Sequence, residues 1–249
     1  MKKNEYILGI GCSFTWGESL YFYSNLPDLP FSEMHNYDAS LVTDEMIEFK
    51  NNNRYLKLLS DELKIPYVYP FDTNGGSIIG SNTHFLFEAR DKYKDAKYVI
   101  WQITDWTRDL HSTKIELNNF EPKSAFRLID GNIQKSIYFI KRVVDEFEKN
   151  NTKVILFTWQ SDLVNHYLYR KFFIKTGKHM NIECEGEEFE SFNEIVDSPL
   201  DKFKKYTVAY DFSPKGYLKN DTHFNIKGHQ MIKDNLVKKI KEIQKSTLI

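Results

Sequence analysis

The chain has 249 residues, and its 34 Lys and Arg against 35 Asp and Glu give a formal net charge of -1. This balance excludes a broadly basic nucleic-acid-binding protein, because neutralising phosphates requires an excess of Lys and Arg. Two cysteines are too few for a disulfide scaffold, and no stretch approaches the ~20 apolar residues that span a bilayer. The sequence also lacks an obvious signal-peptide core, so we expect a cytoplasmic globular protein with no nucleic-acid or membrane partner.

Four short apolar runs predict β-strands. Three of them are continuous, which is typical of strands covered on both faces of a parallel sheet. The remaining run is interrupted by prolines, which predicts a strand near the edge of the sheet. In chain order the runs are 6–11, 66–70 (the run with prolines), 98–103 and 153–159.

Segments with helical spacing separate these runs. Apolar residues recur every three or four positions over 55–63 and 133–147, and again over 226–243. Asn225 precedes the last segment and is a predicted N-cap, since its side-chain oxygen can accept from an unpaired backbone N–H. Strands that alternate with helices predict an α/β fold, with helices on both faces of a parallel sheet.

Three polar stretches rich in aromatic residues are longer than ordinary connections. They lie near 19–52, 105–130 and 176–218. We interpret them as insertions in a single domain, placed over the edge of the sheet as a lid or a subunit contact. Surface decoration is the alternative interpretation.

The first predicted strand leads into Gly11, Cys12 and Ser13. A serine between a buried strand and a helix has an exposed hydroxyl, and the helix N-terminus supplies backbone N–H groups that suit an oxyanion. A plain helix cap is the alternative role for Ser13. A Cys12 thiolate is an alternative nucleophile, but a turn that exposes Ser13 directs its neighbour into the sheet, so we expect a buried cysteine.

The segment before the last helix contains Asp221 and His223. Residues two apart in an extended loop project to the same side, so Asp221 can accept from one ring nitrogen and leave the other as a base. A turn cap at Asp221 with a core histidine at His223 is one alternative. A metal site of Asp221, His223 and His229 is another, although no further histidine or cysteine cluster supports it.

Taken together, the two blocks resemble the SGNH, or GDSL-type, hydrolases. The residues that match are Gly11-Cys12-Ser13, Asp221-Thr222-His223 and the following Gly228-His229. The resemblance implies a three-layer α/β/α sandwich with a flavodoxin-like parallel sheet of about five strands. It also implies a catalytic triad of Ser13, His223 and Asp221 that needs no metal or organic cofactor.

The same resemblance implies an oxyanion hole. Its donors would be the N–H groups of Ser13 and Gly80, with Gly76 as the alternative to Gly80, and the Thr104 side chain. We expect Gly80 to head the helix that contains Phe85. The sequence departs from the family pattern in three places. Cys12 replaces an aspartate, and Thr104 replaces an asparagine in a Gly-x-Asn-Asp block. Asp221 also lies two residues before His223, where a spacing of three is commoner in the family.

Aromatic residues make up 15% of the chain, and several follow the predicted strands. Aromatic faces with a few polar side chains suit a sugar or a flat acyl group, although tryptophans can also simply plug the ends of a sheet. Together with the resemblance to SGNH hydrolases, which itself implies ester hydrolysis, these aromatic residues lead us to expect a carbohydrate O-acetylesterase. A non-catalytic glycan- or partner-binding protein and an O-acyltransferase remain alternatives. The expected substrate-binding residues are Trp16, Trp106, Arg108 and Trp159.

Overall fold

A four-stranded parallel sheet forms the centre of the described part of the chain. The computed structural model describes residues 5–12, 15, 17, 20, 42–70, 78–83, 85, 90–104, 122–158 and 225–246. The strands run in the order β2-β1-β3-β4, and every neighbouring pair is parallel. They are β1 (Ile7–Ile10), β2 (Tyr67–Val68), β3 (Tyr98–Ile103) and β4 (Lys153–Thr158). All four predicted strands are confirmed, and β2 lies at one end of the described sheet, as its prolines predicted.

Helices connect the strands and pack against them. The described helices are α1 (Asp44–Asn53), α2 (Tyr55–Leu63), α3 (Ile78–Thr83), α4 (Arg90–Tyr93), α5 (Pro122–Lys149) and α6 (Ile226–Ser246). The spacing of apolar residues predicted α2 and α6 correctly. Helix α5 begins at Pro122, well before the apolar pattern starts, and proline is favoured at a first helical position. Helices α1 and α5 thus occupy parts of the stretches near 19–52 and 105–130, and the division into a core and insertions remains a prediction.

Alternating side chains along the strands divide the core into two layers. On one face, Leu8, Val99 and Val154 pack with α5 residues such as Ile140 and Phe147. On the other face, strand residues pack against α2 and α6, as Ile100 does with Leu59 and Leu236. The protein is therefore an α/β fold with a helical layer on each side of a parallel sheet, as predicted. A fifth strand remains a prediction.

The α2 layer approaches the sheet closely at Gly9. A Cβ atom on Gly9 would lie 2.3 Å from Cδ1 of Leu56, which is far inside a normal contact distance. Glycine at the centre of β1 therefore lets α2 pack directly on the strand that leads to Ser13. Within the described residues, no helix combines the length and the apolar character needed to cross a membrane.

Helix α5 contains one buried polar atom that offers a test of the packing. Ser136 is fully buried, and its hydroxyl has no hydrogen-bond partner among the residues that the structure describes. An unsatisfied buried hydroxyl costs free energy, so Ser136→Ala should raise the free energy of unfolding by about 0.5–1 kcal/mol. Urea denaturation of both proteins measures this difference. A clear loss of stability in the variant would show that the hydroxyl is satisfied.

Candidate active site

The parallel strands end at one edge of the sheet. Ser13 follows the end of β1 in the sequence and Thr104 the end of β3, whereas Asp221 and His223 precede α6. Ser13, Asp221 and His223 lie outside the described residues, as do Gly76 and the predicted substrate-binding residues Trp16, Trp106, Arg108 and Trp159. Gly80 and Thr104 are described. The structure therefore gives the surroundings of the predicted triad through the residues that flank it, namely Cys12, Thr15 and Asn225.

A tight turn follows β1. The backbone N–H of Thr15 donates to the carbonyl of Cys12 at 2.9 Å, a bond between residues three apart that is typical of a turn. Ser13 lies between these two residues in the sequence. Cys12 and Thr15 are both fully buried. A Cβ atom on Gly11 would lie 2.0 Å from Oγ1 of Thr15, so only glycine at position 11 leaves room for this hydroxyl. The turn is therefore anchored on both sides of Ser13.

The side-chain amide of Gln102 holds this turn against β3. Its Oε1 accepts from the backbone N–H of Cys12 at 3.3 Å, from the Cys12 thiol at 3.0 Å and from the Thr15 hydroxyl at 3.4 Å. Its Nε2 donates to the carbonyl of Ile103 at 3.1 Å. Gln102 is only 1% exposed, so these bonds form in a water-poor interior where losing one is costly.

Tyr55, the first residue of α2, connects the turn to helix α6. Its hydroxyl lies 2.9 Å from Oγ1 of Thr15. Its backbone N–H donates to Nδ1 of His229 at 3.2 Å, and the two rings stack with centroids 6.0 Å apart. Arg54, the N-cap of α2, makes no side-chain capping bond, so His229 supplies an acceptor that the helix N-terminus needs.

The first turn of α6 is also fixed locally. The side-chain oxygen of Asn225 accepts from the backbone N–H of Gly228 at 2.9 Å, which confirms the predicted N-cap. His229 lies in the same turn and is 1% exposed. The segment two residues after His223 therefore has a defined position, and it contacts the same tyrosine that contacts Thr15.

Cys12 is fully buried and belongs to the core layer formed by α2 and α6. Its thiol donates to Gln102, and Tyr69 donates from its hydroxyl to the Cys12 carbonyl at 3.4 Å. The sequence prediction that Cys12 points into the sheet is confirmed. A thiol in this position is shielded from any substrate, which removes Cys12 as a nucleophile in the described conformation.

A positive charge lies near the same edge of the sheet. The Arg54 guanidinium is 5.2 Å from the ring centroid of Tyr67 and 5.6 Å from that of Tyr69. It also donates from Nη2 to the Tyr67 hydroxyl at 2.9 Å, so its orientation is fixed. Tyr69 also donates from its hydroxyl to the Cys12 carbonyl. The Arg54 guanidinium therefore packs against an aromatic ring that contacts the turn after β1.

The two described oxyanion candidates lie at different depths. Thr104 directly follows β3 and is 4% exposed, so it is buried at the end of that strand, and its role as an oxyanion donor stays a prediction. Gly80 is exposed, but it is the third residue of α3 and does not head the helix, because α3 begins at Ile78. The described part of this helix ends at Thr83, and residue 84 lies outside the described residues, so the prediction that Gly80 and Phe85 share one helix stays a prediction.

Nothing in the described residues forms a metal centre. No group of three His, Cys, Asp or Glu side chains there could hold a metal ion. The alternative metal site needs Asp221 and His223, which lie outside the described residues, together with His229. Nδ1 of His229 already accepts from Tyr55, so that nitrogen has a structural function.

The sequence analysis did not single out Thr15, Tyr55 or Gln102. Gln102 is the one polar side chain inside the run of β3, and such a residue in a buried strand needs partners. That was the available signal for it. Tyr55 belongs to the apolar pattern of α2, and this pattern does not predict which group its hydroxyl contacts.

Capping of α2 by His229 can be tested by substitution. His229→Ala leaves the buried N–H of Tyr55 without its acceptor and opens a cavity, so the free energy of unfolding should fall by about 2–4 kcal/mol. His229→Asn places an amide oxygen close to the position of Nδ1 and should recover part of this loss. Chemical denaturation of the three proteins gives the comparison. Equal losses in both variants would contradict the capping role.

Because the Tyr55 hydroxyl is buried, we expect its contribution to the free energy of unfolding to depend on pH. Burial raises the pKa of Tyr55 well above its usual value of 10.0. Above pH 10 an unfolded tyrosine loses its proton and the folded one keeps it, so rising pH favours unfolding. The stability advantage of wild type over Tyr55→Phe should therefore shrink above pH 10, by up to about 1.4 kcal/mol per pH unit.

Denaturation of wild type and Tyr55→Phe at pH 8 and pH 11 measures this change. Tyr138→Phe is the matched control, since Tyr138 is 56% exposed and the substitution removes the hydroxyl of a surface tyrosine. An advantage of wild type over Tyr55→Phe that stays constant with pH would contradict the assignment of a proton to the buried hydroxyl.

Comparison with known proteins gives little beyond this geometry. No protein-family model matches the chain, and no curated protein matches it. Among solved structures, the chain is similar to the lipase Lip_vut3 from a goat rumen metagenome, with 12% sequence identity and a TM-score of 0.46. That alignment covers 94% of this chain and 97% of the lipase. The fold class follows from the sheet and its two helical layers, independently of this likeness.

Proposed function

We propose that the protein is a serine esterase of the SGNH, or GDSL-type, hydrolase family. In this proposal Ser13 is the nucleophile, His223 the general base and Asp221 the residue that orients His223. The predicted substrate is a small acyl ester, most specifically an O-acetyl group on a carbohydrate. The chemistry requires neither a metal nor an organic cofactor.

The observation that carries the proposal is the convergence of the two sequence blocks on Tyr55. Thr15 lies two residues after Ser13, and His229 lies six residues after His223. Both contact Tyr55, one through its hydroxyl and the other through its backbone N–H and ring. Segments more than 200 residues apart in the chain thus meet on one side chain, which supports a Ser13–His223 pair within hydrogen-bond reach.

The burial of Cys12 also favours Ser13 as the nucleophile. The turn closed by Thr15 and Cys12 turns the Cys12 side chain into the core. A nucleophile must reach the substrate, and Cys12 points into the core. In the proposal the next residue, Ser13, points toward the substrate instead. The burial of Cys12 is therefore compatible with a serine nucleophile at the next position.

The reaction then runs in two halves. His223 accepts the proton of the Ser13 hydroxyl as the oxygen attacks the ester carbonyl, and the resulting oxyanion is held by the N–H groups of Ser13 and Gly80 and by the Thr104 hydroxyl. The proton passes from His223 to the departing alcohol, which leaves an acyl-serine. Water, deprotonated by His223, then releases the acid and regenerates Ser13.

The substrate assignment is the part of the proposal that depends most on sequence. Trp16, Trp106 and Trp159 follow or precede the strand ends, and Arg108 lies two residues from Trp106. Flat aromatic faces beside a strand end suit a pyranose ring, and an arginine can bind its hydroxyl oxygens. An acyltransferase would use the same residues, with a sugar hydroxyl in place of water.

Ester hydrolysis with p-nitrophenyl acetate and with acetylated sugars tests the proposal. Wild type should hydrolyse the ester, and Ser13→Ala should lose activity by at least about a thousandfold because the acyl-enzyme cannot form. Ser136→Ala is the matched control, since it removes a buried hydroxyl from α5 without touching the turn, and it should retain activity.

Each other outcome has a definite meaning. Full activity in Ser13→Ala contradicts the serine mechanism, and loss in Cys12→Ala alone transfers the nucleophile to the thiol. An inactive wild type favours the non-catalytic binding protein. Product analysis with a sugar acceptor present separates hydrolysis from acyl transfer, because only a transferase yields the acylated acceptor in preference to free acid.

A further inference from the structure

A buried chain of hydrogen bonds ends on the turn that carries Ser13. The Thr15 hydroxyl has a single proton, and it donates that proton to Oε1 of Gln102 at 3.4 Å. Thr15 must then accept from the Tyr55 hydroxyl, which lies 2.9 Å away. The direction of the chain is therefore from Tyr55 to Thr15 to Gln102.

We propose that Thr15 and Gln102 are positioning residues for Ser13, and that together they form a polar clamp on the turn between Cys12 and Thr15. This inference rests on the proposed function, since Ser13 is the nucleophile only there. The clamp itself consists of described atoms: one amide oxygen that accepts from the backbone of Cys12, from its thiol and from Thr15.

The clamp acts on both ends of the turn at once. Gln102 accepts from Cys12, directly before Ser13, and from Thr15, two residues after it. The backbone bond from Thr15 to Cys12 at 2.9 Å closes the turn between them. Both bonds lead to one side chain of β3, so loss of the clamp should let Cys12 and Thr15 move relative to each other. In this proposal such a movement displaces the nucleophile between them.

Burial makes the clamp rigid. Thr15 and Tyr55 are fully buried, and Gln102 is 1% exposed, so water does not compete for these bonds. The high pKa that burial gives Tyr55 keeps its hydroxyl protonated through any practical assay range, so the donor to Thr15 is always present. Gly11 completes the arrangement, because any side chain there would collide with the Thr15 hydroxyl.

Thr15→Val tests the clamp, because valine has nearly the shape of threonine but neither donates nor accepts. A misplacement of about 1 Å in a reacting group can cost on the order of 100-fold in rate, so we expect kcat to fall about 10- to 100-fold while KM stays within about twofold. Thr15→Ser keeps the hydroxyl and should restore kcat to within about threefold of wild type.

Thr152→Val is the matched control at the opposite edge of the sheet. Thr152 directly precedes β4 and is 1% exposed, and its hydroxyl donates to the carbonyl of Ala96 at 2.5 Å. The variant Thr152→Val therefore lacks a buried threonine hydroxyl, as Thr15→Val does. We expect a comparable drop in thermal stability but no change in kcat, which separates positioning from stability.

Hydrogen exchange provides a readout that does not depend on catalysis. The backbone N–H of Cys12 donates to Gln102, so its exchange rate, measured by NMR, reports on the clamp directly. Thr15→Val should accelerate exchange at Cys12 by at least about tenfold relative to Thr152→Val, and Thr15→Ser should not.

The two proposals fail in different ways. If wild type has no esterase activity, the proposed function fails, and Cys12 exchange alone decides whether the clamp exists. If wild type is active and Thr15→Val keeps its kcat, the positioning role is overturned while the esterase remains. An unchanged Cys12 exchange rate in Thr15→Val, or equal loss of kcat in Thr152→Val, also overturns it.

Discussion

Tyr55 is the side chain on which the described site depends, because it joins three elements that the sequence keeps far apart. Its hydroxyl contacts the turn after β1, its backbone N–H contacts the first turn of α6, and its ring meets the edge of Phe157 in β4 at 5.4 Å. Burying a tyrosine hydroxyl is favourable only when it finds a partner. The position of Thr15 is therefore tied to the packing of α2 on the sheet.

The two histidines of the last block have different chemistry. Nδ1 of His229 accepts the N–H of Tyr55, so it carries no proton, and the ring is the neutral tautomer with its proton on Nε2. A histidine held in this way at the positive end of α2 is a structural cap, and protonation would break its bond. His229 is therefore unsuited to be the base, which leaves His223 as the histidine of this block for that role in the proposed mechanism.

The sequence predicted the strands well because buried parallel strands leave an unmistakable signal. The run 98–103 matches β3 residue for residue, and the prolines around 66–70 matched the placement of β2 at an end of the sheet. The start of α5 was missed because Asp130 and Gly131 interrupt the apolar spacing, although the helix continues through them. A regular spacing of apolar residues predicts a helix only over the residues that show it. The turns of α5 before this spacing begins were therefore not predicted.

Among the described residues around the site, sequence motifs predicted only those whose role follows from neighbouring residues in the chain. The role of Asn225 as an N-cap could be predicted because it depends only on the residues that directly follow it in the sequence. Thr15 and Gln102 need knowledge of which strands are neighbours, since they lie 87 positions apart and meet only because β1 pairs with β3. The same pairing places Gly11 beside Gln102, with 3.1 Å between a Cβ on Gly11 and Cβ of Gln102.

This pairing also changes how the departures from the resembled family pattern are understood. Cys12 stands where that pattern has an aspartate, and Gln102 stands where the Gly-x-Asn-Asp block has its glycine. The two side chains touch, with the thiol 3.0 Å from Oε1. A carboxylate at position 12 would face that oxygen and repel it, whereas a thiol can donate to it. A glycine at position 102 would leave the Cys12 thiol, its N–H and the Thr15 hydroxyl without this acceptor in a buried site. The thiol at position 12 and the amide at position 102 are thus compatible with each other in this buried turn.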